Sequence, residues 1–180
     1  MILTYKECIE KYGNDYQLAR AVAEECVYRV ESGVYSTERY SSELEIIVKK
    51  YPKAILTGES AFYYNDLTDV VPEKYHIATK AKAARLLDAR IEQIYVRDDL
   101  LQLGVEEKEI SGVTVKIYDK ERMLIELLRN KNSMPYDLYK EIIGNYRKII
   151  EGLEIWRIQE YADIFPKSKM IKKALEEEVF

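Results

Sequence analysis

The stretch NDYQLARAVAEECVYRVESGVYS, residues 14–36, decides how the first part of this chain folds. Asn14 is a typical helix N-cap, because its side chain can accept a hydrogen bond from a backbone N–H in the first turn. The apolar residues that follow are spaced as one face of a helix. The residues expected on this inner face are Leu18, Val22 and Cys26.

The second half of the stretch changes to a two-residue alternation of apolar and polar side chains. VYRV and GVYS flank Glu31-Ser32-Gly33, and a glycine accepts the positive φ of a tight connection. This pattern predicts a β-hairpin directly after the helix.

An earlier helix is predicted just before the quoted stretch. Thr4 and Glu7 form a capping box, in which each side chain can bond the other residue's backbone amide. Gly13 is a typical stop signal, since it takes a left-handed conformation without a Cβ clash. Two helices joined by a short glycine-containing turn form a helix-turn-helix pattern.

A β-hairpin after a helix-turn-helix predicts a winged helix-turn-helix over residues 1–38, with a second domain over residues 39–180. In this layout the start of the second helix enters the major groove of DNA, and the hairpin contacts the backbone. The residues predicted to contact DNA are Asp15, Tyr16, Gln17, Arg20, Tyr28, Arg29 and Ser32.

The charge of this segment argues for weak binding by one copy. Residues 1–39 contain five basic and seven acidic side chains, and DNA affinity comes mostly from neutralised phosphates. We therefore expect a dimer or cooperative binding on paired half-sites. A helix pair with a hairpin can also serve as a protein-binding arm, which leaves a module without DNA binding as an alternative.

The overall composition is typical of a folded water-soluble domain. Of 180 residues, 47% are hydrophobic and 33% are charged, and the net charge is −4. No apolar run is long enough for a membrane span and no secretory signal is recognisable, so we expect no membrane partner. The two cysteines, Cys8 and Cys26, are expected to be reduced thiols in a cytoplasmic protein.

The remaining 140 residues predict an α/β (α+β) domain with a small mixed sheet and a helical C-terminal tail. Strands are expected near residues 54–58, 75–79, 91–96, 106–110 and 113–118, with helices near 43–50 and 60–65. Asp119 is expected to cap the first of four helices that continue to the end of the chain. Trp156, Tyr161 and Phe165 are expected in the core of this tail.

A cluster of basic residues is the main candidate site in this second part. It holds five basic side chains against Glu73 and Asp88, and could bind nucleic acid or an acidic protein surface. Its alternative interpretation is an ordinary solvated surface. The basic residues are Lys74, Lys80, Lys82, Arg85 and Arg90.

The sequence offers little support for catalysis, for a metal or for a cofactor. The single histidine, His76, and two separated cysteines do not form a zinc pattern, and no phosphate-binding glycine loop is present. We predict no enzymatic activity, no metal and no cofactor. The alternative is a metal-dependent nuclease-like enzyme, for which Glu106-Glu107-Lys108 is the only indication.

Several segments, taken in order, resemble one known family. They are GVYS at residues 33–36, YPKAILTGESAFYYNDLTDVVPEKYHIAT at 51–79, ISGVTVKIYDKERMLIELLR at 110–129 and LEIWRIQEYADIFPKSKMIKKALEE at 153–177. Together they resemble the AbiEi-type antitoxins of bacterial abortive-infection (type IV) toxin–antitoxin systems. The chain differs from many members in starting at what would be their second helix, and in having Cys26 where they have glycine.

The resemblance implies a function in phage defence. It implies a winged helix-turn-helix that represses its own operon by binding inverted repeats in operator DNA. It also implies a C-terminal domain that neutralises a co-expressed nucleotidyltransferase-like toxin, directly or indirectly.

Overall fold

A computed structural model describes all residues, 1–180, as two compact units, Met1–Lys53 and Ala54–Phe180. Both units combine helices with a β-sheet, so the predicted mixture of α and β structure is confirmed. No helix of the structure has both the length and the apolar character needed to cross a membrane.

The first unit contains three strands and three helices. In chain order they are β1 (Ile2–Thr4), α1 (Tyr5–Tyr12), α2 (Asp15–Ala23), β2 (Tyr28–Glu31), β3 (Val34–Ser36) and α3 (Glu43–Lys50). The predicted helix pair and hairpin are therefore present. Strand β1 was not predicted, because three residues at the chain start carry no measurable alternation.

The predicted helix boundaries follow from local capping. The Glu7 amide donates to Thr4 Oγ1 and the Thr4 amide donates to Glu7 Oε2, which completes the capping box of α1. Gly13 ends α1 with a φ of 95°. The Gln17 amide donates to Asn14 Oδ1 over 3.0 Å and so starts α2.

The three strands form an antiparallel sheet in the order β1-β3-β2. Neighbouring residues of a strand point to opposite faces, so the sheet contributes to two separate cores. On one face, Leu3 and Tyr35 pack with Cys8 and Leu18 of the helix pair. The other face belongs to the second core, whose members are Ile2, Val34 and Ile46 of α3.

The inner side of α2 differs from the prediction at two positions. Leu18 is buried and Val22 packs against the same core, as expected. Cys26 is exposed and lies beyond the end of the helix, which stops at Ala23. Ala21 takes the buried position instead, because a helix brings residue i+3 onto the same face as residue i.

Helix α3 belongs to the first unit, which therefore extends to Lys53 and not to the predicted end at residue 38. Lys49 Nζ contacts Glu7 Oε1 at 2.6 Å, and Lys50 Nζ contacts Glu31 Oε2 at 2.9 Å. The backbone amide of Ile2 donates to Glu45 Oε1. These bonds attach α3 to α1, β2 and β1 at the same time as Ile46 covers the sheet.

The second unit contains five strands and five helices. They are β4 (Ile55–Leu56), α4 (Gly58–Tyr64), β5 (Tyr75–Lys80), β6 (Ile91–Val96), β7 (Val105–Ile110), β8 (Val113–Tyr118), α5 (Lys120–Arg129), α6 (Tyr136–Ile149), α7 (Ile155–Ile164) and α8 (Ser168–Glu178). The sheet order is β6-β5-β4-β8-β7. Strands β5 and β6 are parallel, as are β4 and β8, and the other pairs are antiparallel, which confirms a mixed sheet.

Two local predictions in this unit are wrong. Helix α4 begins at Gly58, with Thr57 as its N-cap, and not near the predicted residue 60, so the helix starts directly after β4. Trp156 is 60% exposed, whereas Tyr161 and Phe165 are buried as expected. Trp156 lies five positions before Tyr161, and a separation of five residues does not keep two side chains on one face of a helix.

The junction between β8 and α5 is a buried polar network. Asp119 caps α5 as predicted, accepting from the Arg122 amide at 2.7 Å, and also accepts from the Tyr161 hydroxyl at 2.9 Å. Arg122 is fully buried, and its guanidinium lies 3.5 Å from the Tyr118 ring centroid. It donates to the carbonyl oxygens of Leu100 and Leu103. Arg122 therefore anchors the chain before β7 to the start of α5.

The Glu7–Lys49 bond gives the first unit a pH-dependent stability. Hydrogen bonds from Lys49 and Thr4 lower the pKa of Glu7 from 4.5 to about 2. This contribution is complete above pH 4.5 and is lost as the pH falls toward 2. Because the Glu7 side chain is 40% exposed, we expect only roughly 1 kcal/mol from it.

We expect Glu7→Gln to lower the free energy of unfolding of the first unit at pH 7 and to flatten its dependence on pH between 4.5 and 2. Amide hydrogen exchange of peptides from residues 1–53 measures this in the full chain. Glu10→Gln, at an exposed position of the same helix, is the matched control. If the free energy of unfolding of Glu7→Gln changed with pH between 4.5 and 2 as steeply as that of the wild type, Glu7 would not be the source of the pH dependence.

Candidate nucleic-acid interface

The start of α2 faces solvent while its opposite side is buried. Asp15, Gln17 and Arg20 are exposed, and Tyr16 is 74% exposed. Leu18 lies between them in sequence and is 3% exposed. The helix thus presents one polar face, which is the geometric requirement for contact with a groove.

Two of these four side chains already have partners within the unit. The Tyr5 hydroxyl donates to Asp15 Oδ1 at 2.7 Å, and this hydrogen bond raises the pKa of Tyr5. Arg20 Nε lies 2.7 Å from Glu24 Oε1, with both side chains more than half exposed. An exposed ion pair of this kind contributes about 0–1 kcal/mol, so Arg20 can exchange Glu24 for a phosphate at little cost.

Tyr28 and Arg29 were both predicted to contact DNA, but they lie on opposite faces of the β2–β3 hairpin. Arg29 is opposite Tyr35, and Tyr28 is opposite Ser36, in the β2–β3 register. Residues directly opposite share a face, so Arg29 lies on the face packed against the helix pair and Tyr28 on the other face. Arg29 is exposed and Tyr28 is partly buried.

The tip of the hairpin is exposed at Ser32. Gly33 follows with a φ of 75°, as expected for the tight connection. The carbonyl oxygen of Gly33 accepts from the Tyr5 amide at 2.8 Å, which ties the tip to the start of α1. The predicted contact residues of α2 and the hairpin are therefore held on one small, well-connected unit.

The basic residues of the second unit fall into two groups. Lys74 lies 3.7 Å from Glu92, and Arg90 lies 2.7 Å from Asp88, so both are neutralised locally. Lys80, Lys82 and Arg85 are exposed and have no carboxylate within ion-pair distance in the structure. The last three are the residues of the predicted cluster that remain available to an anion.

Lys82 and Arg85 lie in the connection between β5 and β6, and Lys80 is the last residue of β5. The connection between β5 and β6 contains neither helix nor strand, and we name Lys80 to Arg90 the basic loop. The side chain of Gln93 in β6 holds it in place. Gln93 Nε2 donates to Thr79 Oγ1 at 2.8 Å and to the Ala84 carbonyl at 3.1 Å, and Gln93 Oε1 accepts from the Leu86 amide at 2.8 Å.

The sequence did not reveal a groove of about 390 Å³ in the second unit. Its apolar lining includes Phe62, Ile94 and Met123, and its polar lining includes His76 and Arg129. These residues come from α4, β5, β6 and α5, so no local pattern could have pointed to the groove. Gly58 lies against the His76 ring, so that a Cβ atom at this position would lie 2.6 Å from His76 Nδ1.

Two features favour the neutral form of His76. The Glu59 amide points to Nδ1 at 3.4 Å, which leaves Nε2 to carry the proton. Burial lowers the pKa of His76. The backbone amide of His76 donates to Ser60 Oγ at 2.8 Å, and Ser60 Oγ in turn donates to the Lys74 carbonyl. Ser60 is thus engaged with the backbone and not with the imidazole ring.

Two of the residues behind the nuclease alternative, Glu106 and Lys108, line one pocket together with Lys120 and Glu121. Glu106 and Glu107 are exposed on β7. Lys108 Nζ is bonded to the Tyr64 carbonyl at 2.5 Å and to Asn65 Oδ1 at 3.2 Å. No group of three histidine, cysteine, aspartate or glutamate side chains is placed to hold a metal ion.

The Gln93 bonds predict how the basic loop responds to mutation. Gln93→Ala removes four hydrogen bonds, two of them to the backbone of the basic loop, so we expect tryptic cleavage after Lys80, Lys82 and Arg85 to become at least several-fold faster. Mass spectrometry of the first fragments measures this. Gln102→Ala, at an exposed position elsewhere in the unit, is the control. Equal cleavage rates in both variants would show that Gln93 does not hold the loop.

The chain was compared with protein-family models and with curated proteins, and neither comparison finds a match.

Proposed function

We propose that this protein is a DNA-binding autorepressor and antitoxin of a toxin–antitoxin operon. The observation that carries the DNA-binding half is the exposed polar start of α2 beside the β2–β3 hairpin. A helix presented in this way, with a hairpin next to it, matches the docking of a winged helix-turn-helix in a major groove. The resemblance to AbiEi-type antitoxins supports the same role.

The proposed contacts divide into two kinds. Gln17 and Arg20 on α2 are assigned to base edges or to phosphates near them, since both side chain types form specific contacts in the major groove. Tyr16, Arg29 and Ser32 are assigned to the DNA backbone. Tyr28 has no role in this proposal, because it lies on the opposite face of the sheet from α2.

The charge of the first unit supports two copies on DNA. It contains eight basic and nine acidic side chains, and Asp15 lies at the start of α2 itself. One copy therefore neutralises few phosphates and binds weakly. Binding to inverted repeats by two copies doubles the number of phosphate contacts in one assembly.

We expect Arg20→Ala to weaken binding to operator DNA by roughly 5- to 150-fold, which corresponds to a loss of about 1–3 kcal/mol. Its fold should be intact, because the Arg20–Glu24 pair is exposed. The measurement is fluorescence anisotropy with a labelled duplex from directly upstream of the reading frame, against a scrambled duplex of equal composition.

Arg39→Ala is the matched control, because Arg39 is an exposed cation of the same unit outside α2 and the hairpin. Circular dichroism checks the fold of both variants. Equal affinities for Arg20→Ala and Arg39→Ala would remove α2 from the interface, and equal affinity of the wild type for both duplexes would reject the repressor.

The antitoxin half of the proposal rests on the resemblance and assigns neutralisation to the second unit. We expect co-expression of the full chain to restore growth to cells that express the neighbouring nucleotidyltransferase-like protein. Arg20→Ala should restore growth as well as wild type when both are expressed from a foreign promoter. Failure of the wild type to restore growth would reject this half, and failure of Arg20→Ala alone would place neutralisation in the first unit.

A further inference from the structure

The two edges of the sheet in the second unit carry different side chains. Strand β7 forms one edge and reads VEEKEI, with charged side chains at positions 106–109. Strand β6 forms the other edge and reads IEQIYV, in which Glu92 is the one charged residue. Charged side chains on an edge strand discourage pairing with a further strand. The β7 edge is therefore protected against such pairing, whereas the β6 edge is not.

The backbone of β6 has one unpaired side. Residues 91–96 pair with β5 along the whole length of both strands. Apart from this ladder, the backbone of residues 92–96 makes no hydrogen bond to the rest of the chain. An edge strand in this state presents a row of N–H and C=O groups that can pair with a strand of another molecule.

Apolar side chains lie next to this row and are incompletely covered. Tyr95 is 50% exposed, and Ile94 and Val96 are partly exposed where they border the groove described above. In the neighbouring strand β5, by contrast, Ile77 and Ala78 are completely buried. A further strand beside β6 would satisfy its backbone groups and cover these side chains at the same time.

We propose that β6 pairs with β6 of a second copy of this chain, antiparallel and across a two-fold axis, so that the two sheets become one. The choice of a second copy rests on the proposed function, which places two copies on inverted repeats. A two-fold interface uses the same surface patch twice, so this patch has to be complementary to itself.

Strand β6 meets this requirement at its centre. Opposite residues share a face of the sheet, so the two-fold axis passes at a single residue, and the middle residues of β6 are Gln93 and Ile94. The Gln93 side chain is already bonded to Thr79 and to the Ala84 carbonyl. We therefore place the axis at Ile94, which then packs against the partner's Ile94.

The remaining pairs in this register contain no like charges. Gln93 lies opposite the partner's Tyr95, and Glu92 lies opposite the partner's Val96. At the β7 edge, the same arrangement centred on either middle residue, Glu107 or Lys108, brings that charged side chain opposite its own copy. Like charges directly opposite each other destabilise a strand pair, so self-pairing is favoured at β6 and opposed at β7.

The contact is small and is expected to be weak in the absence of DNA. Six-residue strands bury little surface, and small interfaces form transient complexes. We expect a dissociation constant of roughly 10–100 µM. Two copies held side by side on inverted repeats have a much higher effective concentration, which favours the pair there.

The test measures self-association of the full-length chain without DNA, by sedimentation velocity over a range of protein concentrations. We expect Ile94→Lys and Ile94→Glu each to weaken dimerisation at least tenfold, because identical charges then face each other at the axis. An equal mixture of the two variants should form a heterodimer about as tightly as the wild type, since opposite charges meet. This recovery also shows that both variants are folded.

Two further variants complete the comparison. Tyr95→Lys changes a half-exposed side chain, so it leaves the fold intact and should weaken dimerisation several-fold. Ile110→Lys is the matched control, because Ile110 is a partly exposed isoleucine of the β7 edge. It should dimerise as the wild type does.

A wild type that stays monomeric up to several hundred µM would overturn the proposal, as would unchanged dimerisation of Ile94→Lys or Tyr95→Lys. A mixture of the two Ile94 variants without recovery, or an equal loss in Ile110→Lys, would also overturn it. Because these measurements contain no DNA, they separate the two proposals. A dimer that binds operator and scrambled duplexes equally would reject the repressor and retain the β6 contact.

Discussion

The first unit depends on the alternation of side chains along the central strand β3. Val34 and Tyr35 are neighbours in the chain, yet they belong to two different hydrophobic cores on opposite faces of the sheet. Tyr35 and Leu3 hold the helix pair, and Val34 and Ile2 hold α3. Because Leu18 and Ala21 must stay in the Tyr35 core, the polar face of α2 can only point to solvent. The polar face of α2, which we propose contacts DNA, is thus exposed because the helix pair packs on only one of the two faces of the sheet.

In the second unit, the corresponding constraint is the buried junction of Asp119 and Arg122. Charged groups are costly to bury unless they are bonded, and here each has several partners. Asp119 binds the helix amide and the Tyr161 hydroxyl, while Arg122 binds two carbonyl oxygens and lies on the Tyr118 ring. Burial raises the pKa of Asp119 and lowers that of Arg122. The network joins three parts of the chain, which are the segment before β7, the start of α5 and Tyr161 of α7.

Charge and exposure differ between the two units. The first has an exposed polar helix face but more acidic than basic side chains, and the second has three exposed cations at the end of β5 and in the connection after it. Base contacts specify a site, whereas phosphate contacts raise affinity for any duplex.

Local sequence signals were sufficient for several helix caps and one turn. The capping box at Thr4, the N-caps Asn14 and Asp119, and the glycine turn at Gly33 are each recognisable in a few consecutive residues, and each is present in the structure. Strand β1, the attachment of α3, the Gln93 bonds and the groove beside His76 were not predictable in this way. They depend on contacts between residues far apart in the chain. Helix caps and tight turns depend on residues within about one helical turn of each other, so the sequence alone determines them. Strand pairing and the Gln93 bonds to the basic loop form only when distant segments of the chain come together in the tertiary structure.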